Sequence, residues 1–255
     1  MNKAIRDWPG QRVWIIGASS GIGAALAAAL LQRGAFVAVS ARREEALRAL
    51  AAGREEARVL AFDLNDDDAF AAASDDLFAA WGGIDLVVFS AGAYAPLRAW
   101  QLDANHIDRL LDINLRAPMA AAARLIPRLI KQGSGALAFV SSVAGYRGLP
   151  KAAAYGPTKA ALINFAETLY LDLAPRGLSV YLINPGFVAT PMTAANDFAM
   201  PALISPQQAA DEIIAGFARG SFEIHFPRRF TVWLKLLRLL PYSLYFALVR
   251  RFTRL

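Results

Sequence analysis

Short apolar runs alternate along this chain with longer stretches whose apolar positions recur at helical spacing. The runs carry the β-branched and aromatic residues and predict strands over 13–16, 36–40, 59–62, 86–89, 136–141, 179–183 and 222–226. Between them the spacing predicts helices over 22–33, 44–52, 67–81, 103–131, 153–174 and 206–219. Asp85 and Asp103 stand at element starts, Gly34 falls just past the first helix and Pro206 opens the last. Strands this uniformly apolar, separated by helix-bearing connections, imply a parallel sheet covered on both faces. The expectation is a doubly wound α/β domain of about seven strands over residues 1–226, followed by a helical tail over 227–255.

Composition narrows the class further. With 255 residues, 56% of them hydrophobic, and no cysteine, the chain can bury a core without staples, and a disulfide framework or cysteine zinc site is excluded. A mean hydropathy of +0.34 excludes disorder. The two histidines, His106 and His225, have no second histidine or tight acidic cluster at ligand spacing, so no catalytic metal is expected. The opening stretch MNKAIRDWPGQRVW lacks the apolar core of a signal peptide, and the expectation is a cytoplasmic protein.

The net charge of +6 is unevenly placed. Through Glu223 there are 20 Lys and Arg against 21 Asp and Glu. From Ile224 onward there are seven basic residues (Arg228, Arg229, Lys235, Arg238, Arg250, Arg251 and Arg254) and no acid. A dedicated nucleic-acid binder would spread such charge over its fold, so no nucleic-acid partner is expected. In the tail the basic residues bracket aromatics and leucines, and Pro241 predicts a break between two short helices. On the first, Lys235 and Arg238 are expected to share one face and Trp233, Leu236, Leu237 and Leu240 another. The tail's longest uncharged run, Leu239 to Val249, has 11 residues, well short of the ~20 that span a bilayer. Residues 228–254 are therefore read as an interfacial segment for the cytoplasmic face of a membrane. Packing on a second subunit, or simple cover of the chain's own fold, are the competing readings.

The first predicted strand runs into Gly17-Ala18-Ser19-Ser20-Gly21-Ile22-Gly23 and then an alanine-rich helix. Glycines there let the backbone approach a pyrophosphate, whose charge meets free N–H groups and the helix dipole. Three glycines alone describe an empty tight turn nearly as well; their place in the first βα unit favours the phosphate. At the end of the second strand an NAD-binding chain would place an acid for the ribose 2′-hydroxyl. This chain reads Ser40-Ala41-Arg42-Arg43. Two arginines at a helix N-terminus oppose its dipole unless an anion is present, and a 2′-phosphate is such an anion. Glu44 and Glu45 could instead compensate locally. NADP(H) is the expected cofactor, with NAD(H) left open, and Arg42 is the expected principal phosphate contact, with Arg43 beside it.

After the fifth strand comes Ser141-Ser142-Val143-Ala144-Gly145, and thirteen residues past Ser142 comes Tyr155-Gly156-Pro157-Thr158-Lys159. On a helix Tyr155 and Lys159 share a face one turn apart. An ammonium beside a phenol favours the phenolate and lowers a pKa otherwise about 10, giving a usable proton donor. Pro157 is tolerable where the helix is only beginning. Alone, this pair is usually a solvated helix face. Together with the glycine turn, Ser142 and Asn114, it resembles the short-chain dehydrogenase/reductase family, over about residues 12–226.

That resemblance implies a Rossmann-type sheet and a set of roles. Gly17, Gly21 and Gly23 match the family's TGxxxGxG turn, with Ile16 where threonine is usual, and Ser19, Ser20 and Ile22 go with them as cofactor-binding residues. Asp63, followed by Leu64, matches the acid at the adenine. Ser90-Ala91-Gly92 matches the family's NAG stretch, Ser90 replacing asparagine, so Ala91 and Gly92 face the cofactor. Asn114 matches the asparagine that holds a water in the proton relay, and Ser142, Tyr155 and Lys159 match the catalytic serine, tyrosine and lysine. Asn184-Pro185-Gly186-Phe187-Val188-Ala189-Thr190 matches the PGxxxT segment at the nicotinamide, which assigns Pro185, Gly186, Val188 and Thr190 to the cofactor.

The mechanism so implied has Ser142 and Tyr155 hydrogen-bonding the substrate oxygen, with Tyr155 exchanging the proton. Lys159 lowers the Tyr155 pKa and binds the nicotinamide ribose, and hydride passes between nicotinamide and substrate carbon. Selectivity is expected from Tyr94, loop 146–150 and segment 187–203. Met192, Phe198, Met200, Pro201 and Leu203 in that segment point to an apolar ketone, aldehyde or secondary alcohol. The resemblance also implies a homodimer or homotetramer. A non-catalytic NADP(H) sensor or scaffold is the alternative, and an intact Ser142, Tyr155 and Lys159 set argues against it.

Overall fold

The computed structural model describes residues 1–196 and 198–253. Arg254 and Leu255 of the tail, and Asp197 in segment 187–203, lie outside the described residues. Seven parallel strands, β1 (Arg12–Ile16), β2 (Phe36–Ser40), β3 (Ala57–Val59), β4 (Leu86–Phe89), β5 (Ala136–Val140), β6 (Ser179–Pro185) and β7 (Glu223–Phe226), stand in the order β3-β2-β1-β4-β5-β6-β7. The chain winds outward in one direction from β1 to β3 and in the other from β4 to β7. Ile16 is in register with Ser40 on one side and Phe89 on the other. The carboxyl ends of β1, β2 and β4 are therefore level at the point where the strand order reverses, which is where open α/β sheets form a crevice.

Strand alternation builds the two apolar layers. Val13, Ile15, Val37, Val39, Val88 and Ile183 point to the side covered by α1 (Gly21–Leu31) and α7 (Pro206–Arg219). Trp14, Ile16, Ala38, Val87, Phe139 and Leu182 point to the other, against α3 (Asp67–Trp81), α5 (Ala117–Gln132) and α6 (Tyr155–Leu173). Full burial of each valine, isoleucine, leucine or phenylalanine among them contributes about 1.5–3 kcal/mol. The one polar atom of buried Trp14 is satisfied, its Nε1 donating to the Ser40 hydroxyl at 2.9 Å. A short helix α2 (Glu44–Ala51) links β2 to β3.

Two expected elements differ. The third strand, expected over 59–62, ends at Val59, although Leu60 and Phe62 still donate backbone bonds to Val39 and Ala41. At a sheet edge the chain has one partner only, and it leaves the ladder gradually. The single helix expected over 103–131 is divided into α4 (Ala104–Leu111) and α5 by a π-helical turn, Asp112–Arg116. The wider turn carries Asn114 inward to complete burial, an interruption of the kind often found at functional sites. Helical periodicity cannot register one extra residue in a turn.

The tail forms α8 (Arg228–Arg238) and α9 (Tyr242–Thr253), separated at Pro241 as expected. Both lie on the fold. Thr231 and Tyr245 are buried, and Phe230 and Leu234 pack against the core. Lys235, expected to share a face with Arg238, pairs with Glu223 of β7, whereas Arg238 is exposed. Of the apolar set expected together, Trp233 and Leu236 are exposed, whereas Leu237 and Leu240 are partly covered. Leu239, Tyr242, Leu244, Phe246 and Phe252 join the exposed group. Among the described residues, no helix is long and apolar enough to cross a membrane.

Candidate active site

A cleft of about 350 Å³ opens at the carboxyl ends of the strands. Of the expected site residues, Gly17, Ser19, Ser20, Gly21, Ile22, Arg42, Arg43, Asp63, Leu64, Ala91 and Gly92 line it. Ser142, Tyr155, Lys159, Pro185, Gly186, Val188 and Thr190 line it too. Gly23 and Asn114 lie behind its walls.

The glycine turn is built by close approach. Gly17 has φ +95°, and a Cβ there would stand 2.3 Å from the Ala91 nitrogen, so the turn rests directly on the Ser90-Ala91 backbone. At Gly23 a Cβ would meet the Gly17 oxygen at 2.4 Å, so this glycine serves the packing of α1 beneath the turn. Ser20 is the N-cap of α1, and its side chain makes no capping hydrogen bond, leaving the first-turn N–H groups to face the cleft uncapped. The Oδ1 of Asn65, which also lines the cleft, is buried without a hydrogen-bond partner among the described residues. A bare backbone turn, an uncapped helix start and an unpaired carbonyl oxygen fit a dinucleotide's pyrophosphate and base.

The two arginines take different positions. Arg43 reaches over the glycine turn, its Nη2 donating to the hydroxyls of Ser19 (3.0 Å) and Ser20 (2.9 Å). Arg42, two-thirds exposed, leans toward Asp63 at 3.9 Å. Arg43 thus lies over the glycine turn, and Arg42 lies nearer Asp63.

On the opposite wall Tyr155 is the first residue of α6 and Lys159 follows one turn later, with Pro157 inside the first turn. Lys159 is 4% exposed; its Nζ donates to the Val140 carbonyl at 2.9 Å and lies 5.7 Å from the Tyr155 ring centre. The Ser141 hydroxyl donates to the Lys159 carbonyl at 2.9 Å, tying the end of β5 to α6. The Tyr94 ring stands edge-on to Tyr155 at 4.9 Å.

Burial pushes the Tyr155 phenol up to about 12, opposed only by a hydrogen bond with Ser142. Burial pushes the Lys159 ammonium down to about 8. The expected lowering of Tyr155 by the Lys159 charge is therefore not realised in this structure, where the desolvation of each group dominates.

Asn114 is committed to bracing. Its Oδ1 accepts from the Ala93 N–H at 2.8 Å, and its Nδ2 donates to the Ala93 carbonyl at 2.9 Å and to Thr158 Oγ1 at 3.2 Å. Thr158 in turn donates to the Tyr155 carbonyl at 2.8 Å. Tyr146, expected in a substrate loop, is buried and donates to Glu223 at 2.5 Å. Sequence reasoning did not single out Asn65, Ser141 or Thr158; only proximity to Asp63, Ser142 and Tyr155 marks them in the sequence.

A family model described as short chain dehydrogenase matches residues 11–199. An uncharacterized oxidoreductase of Myxococcus xanthus (strain DK1622) is 36% identical over 244 residues, covering 93% of this chain and 95% of its own length. A 2-dehydro-3-deoxy-L-rhamnonate dehydrogenase (NAD(+)) of Sphingomonas sp. (strain SKA58) is 32% identical over 72% of this chain and 75% of its own. The solved structure of a short-chain dehydrogenase from Sphingobium yanoikuyae in complex with NADPH matches with a TM-score of 0.78 at 27% identity, over 91% of this chain and 97% of that one. With a seven-stranded parallel sheet, a glycine turn at its switch point and a family match across most of the chain, this protein belongs to the short-chain dehydrogenase/reductase family and is an oxidoreductase.

Proposed function

We propose that this oxidoreductase uses NADP(H) to interconvert an apolar ketone or aldehyde and its alcohol, with Tyr155 as general acid and base. The observation that carries the reading is the placement of Tyr155, Ser142 and Lys159 on one wall of the cleft that the glycine turn opens. A bound nicotinamide supplies the hydride donor or acceptor. The chain's residues do the rest. Ser142 and Tyr155 offer two hydroxyls to the substrate oxygen. With its phenol pushed up to about 12, Tyr155 is protonated at neutral pH and poised to donate during reduction. Lys159 keeps two N–H donors beyond the one given to Val140, and the nicotinamide ribose hydroxyls would accept them. Both N–H donors of Asn114 are committed, so it acts in this reading by fixing Ala93 and Thr158, with its second Oδ1 lone pair left for a water.

The NADP(H) preference is supported by the two guanidiniums beside the turn and by the lack of an acid at the end of β2. The named relatives divide between NAD(+) and NADPH. An apolar substrate is supported by Pro191 and Met192, which line the cleft next to Thr190. The exposed Met119 of α5 and Leu171 of α6 support a homodimer or homotetramer. The exposed apolar and basic residues of α8 and α9 support peripheral association with the cytoplasmic face of a membrane.

The test is Tyr155→Phe, assayed with NADPH and NADH against ketosteroids, 3-oxoacyl thioesters, aliphatic ketones and aromatic aldehydes. Turnover is expected to fall ~10²- to 10⁴-fold with NADPH affinity nearly unchanged. A variant that keeps most of its turnover removes the assigned role. Tight NADPH binding by the parent, with no consumption across the whole panel, would instead identify a sensor.

A further inference from the structure

The loop joining Ser142 to Tyr155 connects two residues of the cleft, and the tail grips it from outside. Arg147 Nη1 donates to the carbonyls of Leu237 (3.0 Å), Arg238 (3.2 Å) and Leu240 (2.7 Å) at the C-terminal end of α8. A cation there meets the negative end of the helix dipole. The same guanidinium lies 4.7 Å from the Tyr242 ring centre and 4.0 Å from that of Tyr245. Tyr245, buried in α9, donates to the Gly148 carbonyl at 2.6 Å. One residue back, Tyr146 donates to Glu223 at 2.5 Å, and Glu223 also pairs with Lys235 of α8. Arg147 and Gly148 are thus tied directly to the tail, and Tyr146 is tied to it through Glu223 of β7.

The loop's other ties lie on either side of 147–148: Val143 and Tyr146 pack into the core, and the Leu97 N–H donates to the Lys151 carbonyl at 3.0 Å. Between Ser142 and Tyr155 it forms one 3-10 turn, Val143–Gly145, and an isolated bridge from Ala152 to Leu97. At its start it packs tightly on α6, since a Cβ at Gly145 would lie 2.7 Å from the Lys159 carbonyl carbon. Movement at 146–148 is therefore passed both to the Ser142 turn and to the turn of α6 that carries Tyr155 and Lys159. On the far side, Phe230 of α8 lies 5.6 Å from Phe187, so the tail also touches the chain just past Gly186.

We propose that α8 and α9 form a clasp that positions the Ser142–Tyr155 loop, with Arg147 and Tyr245 as its positioning residues. The inference rests on the reading above for the chemistry that the loop serves. Its residues face inward and are distinct from Trp233, Leu236, Leu239 and Phe246, which face solvent.

The test uses the full chain carrying Arg147→Met, Arg147→Lys or Tyr245→Phe. It measures hydrogen exchange over residues 143–154, NADPH affinity by fluorescence, and kinetics with a series of methyl ketones from 2-butanone to 2-undecanone. Arg147→Met and Tyr245→Phe are expected to speed exchange over 143–154 and to lower kcat about tenfold, as small displacements of reacting groups do. The KM for ketone and the NADPH affinity should stay within about twofold of the parent, and Arg147→Lys, which keeps a cation and donors, should recover part of kcat. Unchanged exchange overturns the clasp, and so does faster exchange with unchanged kcat. If the parent reduces none of the ketones, the apolar-carbonyl reading falls while the exchange arm still decides whether the tail holds the loop.

Discussion

Lys159 is the residue at which burial and chemistry conflict. At 4% exposure, with one carbonyl partner at 2.9 Å, its ammonium is disfavoured and its pKa is pushed from 10.5 down to about 8. The folded state therefore holds fewer protons than the unfolded chain between about pH 8 and the ordinary lysine value, and stability rises with pH across that window. Below about pH 8 the full cost of burying the charge is present. Lys159→Met keeps the length of the side chain and removes the charge. Its melting temperature relative to the parent should be most favourable near pH 7 and lose that advantage by pH 10, whatever the lost hydrogen bond costs at every pH. Scanning calorimetry of both proteins at the two pH values checks this, and a pH-independent difference overturns it. The pairing of Tyr155 with Lys159 was legible in the sequence because four positions on a helix fix it locally. Its electrostatics were not, because they depend on how deeply α6 is packed, which no local spacing reports. Arg43 and Asn65 illustrate the same limit: each is adjacent to a recognised residue, and only the fold shows that one crosses the glycine turn and the other leaves an oxygen unpaired.

Among the elements, α2 bears most directly on cofactor choice. Its N-cap is Arg43, with no side-chain cap, and Glu44 and Glu45 follow in the first turn. Glu44 is engaged with Arg48 at 2.6 Å one turn on, so it does not neutralise the arginines, and the local compensation left open by the sequence is only partial. A 2′-phosphate between Arg42 and Arg43 would gain hydrogen bonds to charged donors, each about 1.5–3 kcal/mol. Removing one corresponds to roughly a ten- to hundredfold loss. Arg42→Ala and Arg43→Ala should each lower kcat/KM for NADPH by that order while leaving kcat/KM for NADH nearly unchanged. A parent that prefers NADH, or variants that lose both cofactors equally, would remove the NADP(H) assignment. Elements whose limits are set by local chemistry are legible in the sequence, such as α7, which begins at Pro206 behind a Ser205–Gln208 capping box. β3 and the π-turn depart from the sequence pattern because each answers to a tertiary demand: a single neighbouring strand in one case, and in the other the need to bring Asn114 to Ala93 and Thr158.

At the scale of the whole molecule the charge is divided between a body with one more acid than base through Glu223 and a purely basic segment beyond it. Lys235 is neutralised by Glu223, which leaves Arg228, Arg229, Arg238, Arg250 and Arg251 as the exposed cations of the described tail. Beside them stand Trp233 and Leu239, 68% and 79% exposed. A two-fold contact between copies through this face would oppose arginine to arginine. An anionic lipid surface meets the same charge favourably, at about 1 kcal/mol per basic residue close to it, and takes up the apolar side chains. The full chain should therefore sediment with vesicles of phosphatidylcholine and phosphatidylglycerol and not with phosphatidylcholine alone. Because such attraction fades beyond a Debye length of about 8 Å at physiological salt, binding should weaken as salt is raised. Replacing Arg250 and Arg251 by alanine removes about 2 kcal/mol, roughly a thirtyfold loss of affinity. Trp233→Ser with Leu239→Ser should also reduce binding, through the apolar contribution, while leaving the salt dependence unchanged. Absence of sedimentation at low salt overturns the membrane assignment. A concentration-dependent dimer dissolved by the same Trp233 and Leu239 substitutions would reassign the face to a second copy of the chain.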